Sequence, residues 1–266
     1  MINGTWWRTA LGRRRHDVPL IMVVAENGLV TGEFVRLLDD RALERSSVVA
    51  NNAMNRGRGL SGVNSYARDL GFDPYQRLVD TLRGDAGASI SWIDMCCGSG
   101  RALLETEELF AREFPTADVS LLGIDLIDYF LATPRTPRLR LIAASAHEWR
   151  PKDTAHLVTC VHGLHYIGDK LALLSAMAQW TAPGGSFVAH FDPHSIRHPD
   201  GSSAARKVLA NLRAAGLTYD RRNHRISAHG PRPLHFSAVY RGADDKAGPG
   251  YTGQPAVASY YDWYGH

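Results

Sequence analysis

Hydrophobic positions change their rhythm near residue 88. Across 29–43, apolar residues at Val30, Phe34, Leu37, Leu38 and Leu43 approach the spacing of one helix face. Asp73 and Pro74 then open another helix, as N-cap and first helical residue. Residues 51–72 between them are rich in Asn, Gly and Arg, which is loop chemistry. Beyond residue 88, short apolar runs at 89–95, 119–124, 139–143, 156–161 and 186–191 read as strands. They alternate with helical stretches at 100–114, 170–180 and 202–215. Two more runs, 223–227 and 234–240, have no helix between them and read as an antiparallel hairpin.

Such alternation builds βαβ units. The expected fold class is α/β, a doubly wound, mostly parallel Rossmann-like sheet of about seven strands. A C-terminal antiparallel hairpin and an N-terminal helical lid region complete it. The chain divides into a flexible basic tail at 1–19, a helical lid and substrate region at 20–88, a ligand-binding sheet domain at 89–241 and a Gly/Pro/aromatic tail at 242–266. That last tail holds Tyr251, Tyr260, Tyr261, Trp263 and Tyr264. Disordered tails are poor in aromatics, so it is expected to dock.

Composition narrows the function. A chain of 266 residues with 44% apolar residues can bury a sizeable core. A net charge of +3 is too mild to imply a nucleic-acid or membrane partner, and no apolar run reaches the length of a membrane helix. Arg13 to Arg15 followed by an apolar run superficially mimic an export signal, but Glu26 closes the run without a small-residue cleavage site. Three cysteines, two of them adjacent, suit a reducing compartment, and the cytoplasm is the expected location.

The chemistry begins in the run Asp94-Met95-Cys96-Cys97-Gly98-Ser99-Gly100, at the end of the first strand of the alternating region. Glycines there let the backbone approach a ligand and turn into the helix. A carboxylate at that point repels a pyrophosphate but attracts an ammonium group, directly or through water. Asp125 ends the next strand, about 25 residues past the glycines, where an acid grips a ribose diol. An amino-acid end and a ribose together suggest S-adenosylmethionine.

The run from Asp94 to Gly100 resembles the D-x-G-x-G-x-G signature of class I S-adenosylmethionine-dependent methyltransferases, small-molecule (natural-product) branch. The resemblance extends through Gly123-Ile124-Asp125, residues 154–167 and residues 182–191, and covers roughly 64–240. Cys96 stands where the family has its first glycine. The resemblance implies S-adenosylmethionine as cofactor, S-adenosylhomocysteine as product, and a cofactor site of Asp94, Cys96, Gly98, Gly100, Asp125, Leu126, Ser145, Ala146, His147 and Val161. The acid that relatives often place near the adenine after the third strand is missing, which leaves the contact to Ser145 or to backbone near Ala146 and His147. Trp149 is a candidate for packing on the adenine. The cysteines read as packing, since free cysteine behaves as a small hydrophobe.

Methyl transfer requires alignment, and a base where the acceptor carries a proton. His162 and His190, at the ends of the fourth and fifth strands, are the candidate bases, and Tyr66, in the covering segment, is a third catalytic candidate. His190, His194 and His198 recur every four residues, but Pro193 and Pro199 interrupt the segment, so no metal site is expected. The leading reading is methyl transfer to a small-molecule acceptor, a secondary metabolite. RNA methylation and non-catalytic binding of S-adenosylmethionine are the alternatives. The chain shows no basic stripe with interleaved aromatics, which argues against nucleic acid. A homo-oligomer is compatible with the sequence.

Overall fold

A computed structural model describes residues 20–23, 33–50, 57–84 and 89–264. Strands β1 (Leu20–Val23) and β2 (Glu33–Arg36) pair antiparallel. Four helices follow: α1 (Asp40–Glu44), α2 (Ser47–Ala50), α3 (Tyr66–Leu70) and α4 (Pro74–Gly84). The alternating region then runs β3 (Ile90–Met95), α5 (Arg101–Glu113), β4 (Val119–Asp125), β5 (Leu139–Ala143), β6 (Ala155–Cys160), α6 (Lys170–Gln179) and β7 (Thr181–His190). It continues through β8 (Ile196–Arg197), α7 (Ala205–Ala214), β9 (Thr218–Asp220), β10 (Arg225–His229), β11 (Ala238–Asp244) and β12 (Ala258–Trp263).

The central sheet has seven strands in the order β5-β4-β3-β6-β7-β10-β9. The first five are parallel, and β10 pairs antiparallel with both β7 and β9. Strand order reverses between β3 and β6, so the ligand crevice belongs at their carboxyl ends. Both faces of the sheet are covered. On one, α4 and α5 pack Leu78, Leu103 and Phe110 around Trp92. On the other, α6 and α7 pack Leu174, Met177, Val208 and Leu212 around Phe187. Asp73 caps α4 as expected, its Oδ1 accepting from the backbone N–H groups of Tyr75 (2.9 Å) and Gln76 (3.2 Å).

Two expectations need correction. The span 29–43 is not one helix: 33–36 is a strand, and the helix begins only at Asp40. Asp39 explains the break, because its extended backbone and its side-chain bond from the Ala42 N–H (2.7 Å) start a helix at that point. Leu37 is buried and Leu38 bridges to Ala243, so the spaced apolar residues serve sheet packing. Residues 29–32 lie outside the described residues. The other correction concerns the hairpin. Its first strand pairs with β9 and β7, while its second, β11, joins a separate three-stranded sheet in the order β11-β12-β8. The aromatic tail causes this by supplying β12, with Tyr261 almost fully buried.

Candidate active site

The loop after β3 turns twice in the left-handed region. Cys96 has φ +59° and Gly98 φ +62°, and Gly100, at +69°, starts α5. The Cys97 N–H donates to the Ile124 carbonyl (3.0 Å), and the Gly98 N–H donates to Asp125 Oδ2 (2.9 Å). Asp125 Oδ1 accepts from the Ile127 N–H (3.2 Å). These bonds tie the loop to the end of β4 and fix a carboxylate at the rim of a slot.

Cys96, Gly98, Asp125, Leu126, Ala146, His147, Val161 and His162 all face this slot. The opposite wall comes from Leu43, Glu44 and Val49, which the sequence reading missed. Glu44 Oε1 accepts from the Ser145 hydroxyl (2.5 Å), and His147 Nε2 lies 3.3 Å from Asp40 Oδ1. Helix α1 thus places a carboxylate beside the end of β5. The only sequence signal was an acidic residue on a short amphipathic segment. Ser145 is turned to Glu44 and is not part of the slot wall.

Asp94 and Tyr66 are not on the wall either. Asp94 is sealed beneath the loop, accepting from the hydroxyls of Tyr66 and Thr159, each at 2.6 Å. Burial pushes its carboxyl up to about 7, although both hydroxyl donors pull the other way. Burial and the neighbouring carboxylate likewise raise the Tyr66 phenol well above its usual range. The pair braces α3 against β3. Gly100 caps α5 instead of facing the slot. Trp149 stacks edge-on with Trp180 at 5.7 Å, away from the slot.

The cysteines are packed. Cys97 is buried in the face under α4 and α5, and its thiol is pushed well up, by burial first. Cys96 lies against Cys160 and Gly163; hydrogen bonding to Cys160, then burial, raises its thiol. Neither forms a ready thiolate. A Cβ on Gly163 would sit 2.3 Å from the Cys96 Cβ, so glycine is required there by close approach.

His162, two residues beyond β6, has φ +59° and faces the slot. Its Nε2 lies 3.6 Å from Asp69 Oδ2, and that oxygen also accepts from Arg58 Nε (2.5 Å). Its Nδ1 is 3.3 Å from the Tyr251 hydroxyl, brought in by the aromatic tail. Hydrogen bonds from His162 and the charge of Arg58 hold the Asp69 carboxyl below its usual range despite the opposing effect of burial. His190 stacks on His162 at 4.1 Å, is 3% exposed, and is pushed down to about 3 by burial and then by His162. It stays neutral at ordinary pH and backs His162. Asp69 and Tyr251 were invisible as site residues because neither lies at a strand end. His194 and His198 diverge from His190: His194 Nδ1 is 3.3 Å from Ser203, and His198 lies against Trp263.

A slot at the switch point of a seven-stranded sheet, rimmed by a carboxylate and a glycine turn, fits the adenosine and amino-acid ends of S-adenosylmethionine, and the fold and site together define a Rossmann-like methyltransferase. A family model described as "Methyltransferase domain" matches residues 66–228, and the chain belongs to that family, the S-adenosylmethionine-dependent methyltransferases of class I. Among curated proteins it is similar to Trans-aconitate 2-methyltransferase of Yersinia pestis (strain Pestoides F), 31% identical over 133 residues, 47% of this chain and 48% of the relative. Trans-aconitate 2-methyltransferase of Yersinia pseudotuberculosis serotype O:3 (strain YPIII) matches with the same figures. The chain spans about half the length of the curated relatives it matches. Among solved structures, an amino pentose methyltransferase of calicheamicin biosynthesis from Micromonospora echinaspora is 28% identical, over 46% of this chain and 52% of its own, with TM-score 0.32. The N-methyltransferase NodS from Bradyrhizobium japonicum is 19% identical, over 73% and 98%, with TM-score 0.37. Among the described residues no helix is long and apolar enough to cross a membrane.

Proposed function

We propose that the slot binds S-adenosylmethionine and that the protein transfers its methyl group to a small-molecule acceptor whose nucleophile carries a proton. Cys96, Gly98, Asp125, Leu126, Ala146, His147 and Val161 line the donor site in this reading, with Glu44 in place of the missing acid. The sulfonium supplies the activation when bound, and the chain aligns the reactants. His162 takes the acceptor's proton. Asp69 orients its ring and stabilises the imidazolium, leaving Nδ1, beside the Tyr251 hydroxyl, as the basic nitrogen. The observation that carries this reading is His162 itself, which lines the donor slot and is held on both ring nitrogens.

The curated relatives are named for an enzyme acting on a small organic acid, which supports a small-molecule acceptor without favouring a secondary metabolite. The test is binding and turnover in parallel. S-adenosylhomocysteine should bind the wild type and His162→Ala alike, while the variant's turnover on a screened acceptor falls. Absence of donor-product binding to the wild type would overturn the reading.

A further inference from the structure

A second concavity lies at the same carboxyl edge of the sheet, beyond β7. It is a groove between α7 and the β9–β10 turn. Its floor is apolar, with Ala205, Leu209 and Ala210, and an adjoining concavity shares Leu209 and adds Leu212 and Leu217. Its rim carries Arg206, Arg213 and Arg221. Among the described residues no carboxylate lies within ion-pair distance of these three guanidinium groups. The nearby acids are occupied: Asp220 accepts from Asn223 Nδ2 (2.6 Å) and faces Arg225, and Asp192 Oδ1 accepts from the His194 N–H (2.9 Å). Three cations over an apolar floor are complementary to an amphipathic anion, because guanidinium pairs with carboxylate or phosphate while the leucines take hydrocarbon.

Three rings in series, His224, Tyr251 and His162, link the groove to the donor slot. His224 lines the groove and stacks flat on Tyr251 at 3.7 Å and 4°. Tyr251 contacts His162 Nδ1, and His162 lines the slot. Tyr251 sits in a glycine- and proline-rich loop, with Gly248 at φ +93° and Gly253 at φ +75°. We propose that this groove holds the anionic end of the methyl acceptor, a small molecule with an apolar body and a carboxylate or phosphate, whose nucleophile passes the Tyr251–His224 layer to reach His162. The assignment rests on the methyl-transfer reading above.

Octanoate and octyl phosphate serve as probes, with octyltrimethylammonium as the cationic control, each titrated calorimetrically into protein saturated with S-adenosylhomocysteine. Saturable binding of at least one anion is expected, weakening as salt rises, with the cation silent; the tighter anion assigns the head group. The exposed triple variant Arg206→Gln/Arg213→Gln/Arg221→Gln should bind the anions at least tenfold more weakly and S-adenosylhomocysteine as wild type does. The probe should also shift the imidazole proton resonances of His224 and His162 in the wild type, and not in the variant. Equal binding of the cation, anion binding that survives the triple substitution, or no anion binding would overturn the assignment. The variant's affinity for S-adenosylhomocysteine reports separately on the donor site.

Discussion

Cys96 holds a backbone conformation that costs a side-chain-bearing residue roughly 1–2 kcal/mol. Cys96→Gly should therefore keep or raise stability, and it should partly rescue Gly163→Ala, whose new Cβ meets Cys96. Thermal melts of the two single variants and the double variant check this; additive destabilisation would show that the close approach is unimportant. Asp125→Ala should weaken S-adenosylmethionine binding by about 1.5–3 kcal/mol, the scale of charge-assisted hydrogen bonds, as read by calorimetry. His162→Ala should cost about 10²–10⁴ in turnover with donor affinity nearly intact. Asp94 predicts a pH effect of definite sign. Its folded pKa, about 7, lies above the ordinary carboxylate value, so the folded state holds the proton more tightly. Its contribution is complete below about pH 4 and declines as pH rises to about 7, by a few kcal/mol at most. Asp94→Asn should flatten that decline in denaturant midpoints measured from pH 4 to 8.

At the scale of elements, the tail is tied down by one buried cation. Lys170, at the start of α6, donates from Nζ to the Ile167 carbonyl (2.9 Å), the Val257 carbonyl (2.8 Å) and Ser259 Oγ (2.8 Å). Burial lowers its pKa to about 7, with nearby aspartates opposing. Tyr261 adds bonds to Asp169 and the Leu171 N–H. Lys170→Met should cost about 3 kcal/mol or more, since it strands two or three buried acceptors. Amide exchange in 257–263 should rise before that of β3 to β7, and a uniform rise would show that the tail is not a separate unit. β12 is the element the sequence hid best: 258–263 alternates weakly, and only its aromatics foretold docking. The strands and helices of the alternating region were legible because each carries a complete local signal. β8, two residues long, exists only because β12 pairs with it.

For the whole molecule, the segment before β3 is held against the sheet domain by tertiary contacts. Leu60 N–H donates to Glu105 Oε2 (2.6 Å), Tyr66 to Asp94, and Arg225 to backbone carbonyls of α3. Of the arginines that an RNA reading needs there, Arg58 is paired with Asp69, and Arg68 donates to the Val63 carbonyl (3.0 Å). Donor binding should raise amide protection across residues 57–70 with modest salt dependence, because a closed site excludes water from the reacting methyl. Tight RNA binding with a steep loss in salt and no such protection would instead favour the RNA alternative. Residues 51–56 of the expected lid lie outside the described residues.

The sequence by itself determined the parallel α/β core, the glycine turn after β3 and the two acids at the ends of β3 and β4, because periodicity, turn chemistry and spacing are local properties. It also placed His162 at a strand end. Tertiary structure alone decided that Asp94 faces inward to Tyr66 and Thr159 while Asp125 faces the slot. It alone brought Glu44 to Ser145 across 101 residues and Tyr251 to His162 across 89. Contacts between such distant residues depend on how whole elements pack, and one strand crossing from the tail redirected β11 away from its apparent hairpin partner. No local pattern records that choice, because the energy deciding it is the burial of Tyr261 and its neighbours in a sheet the rest of the chain must first create.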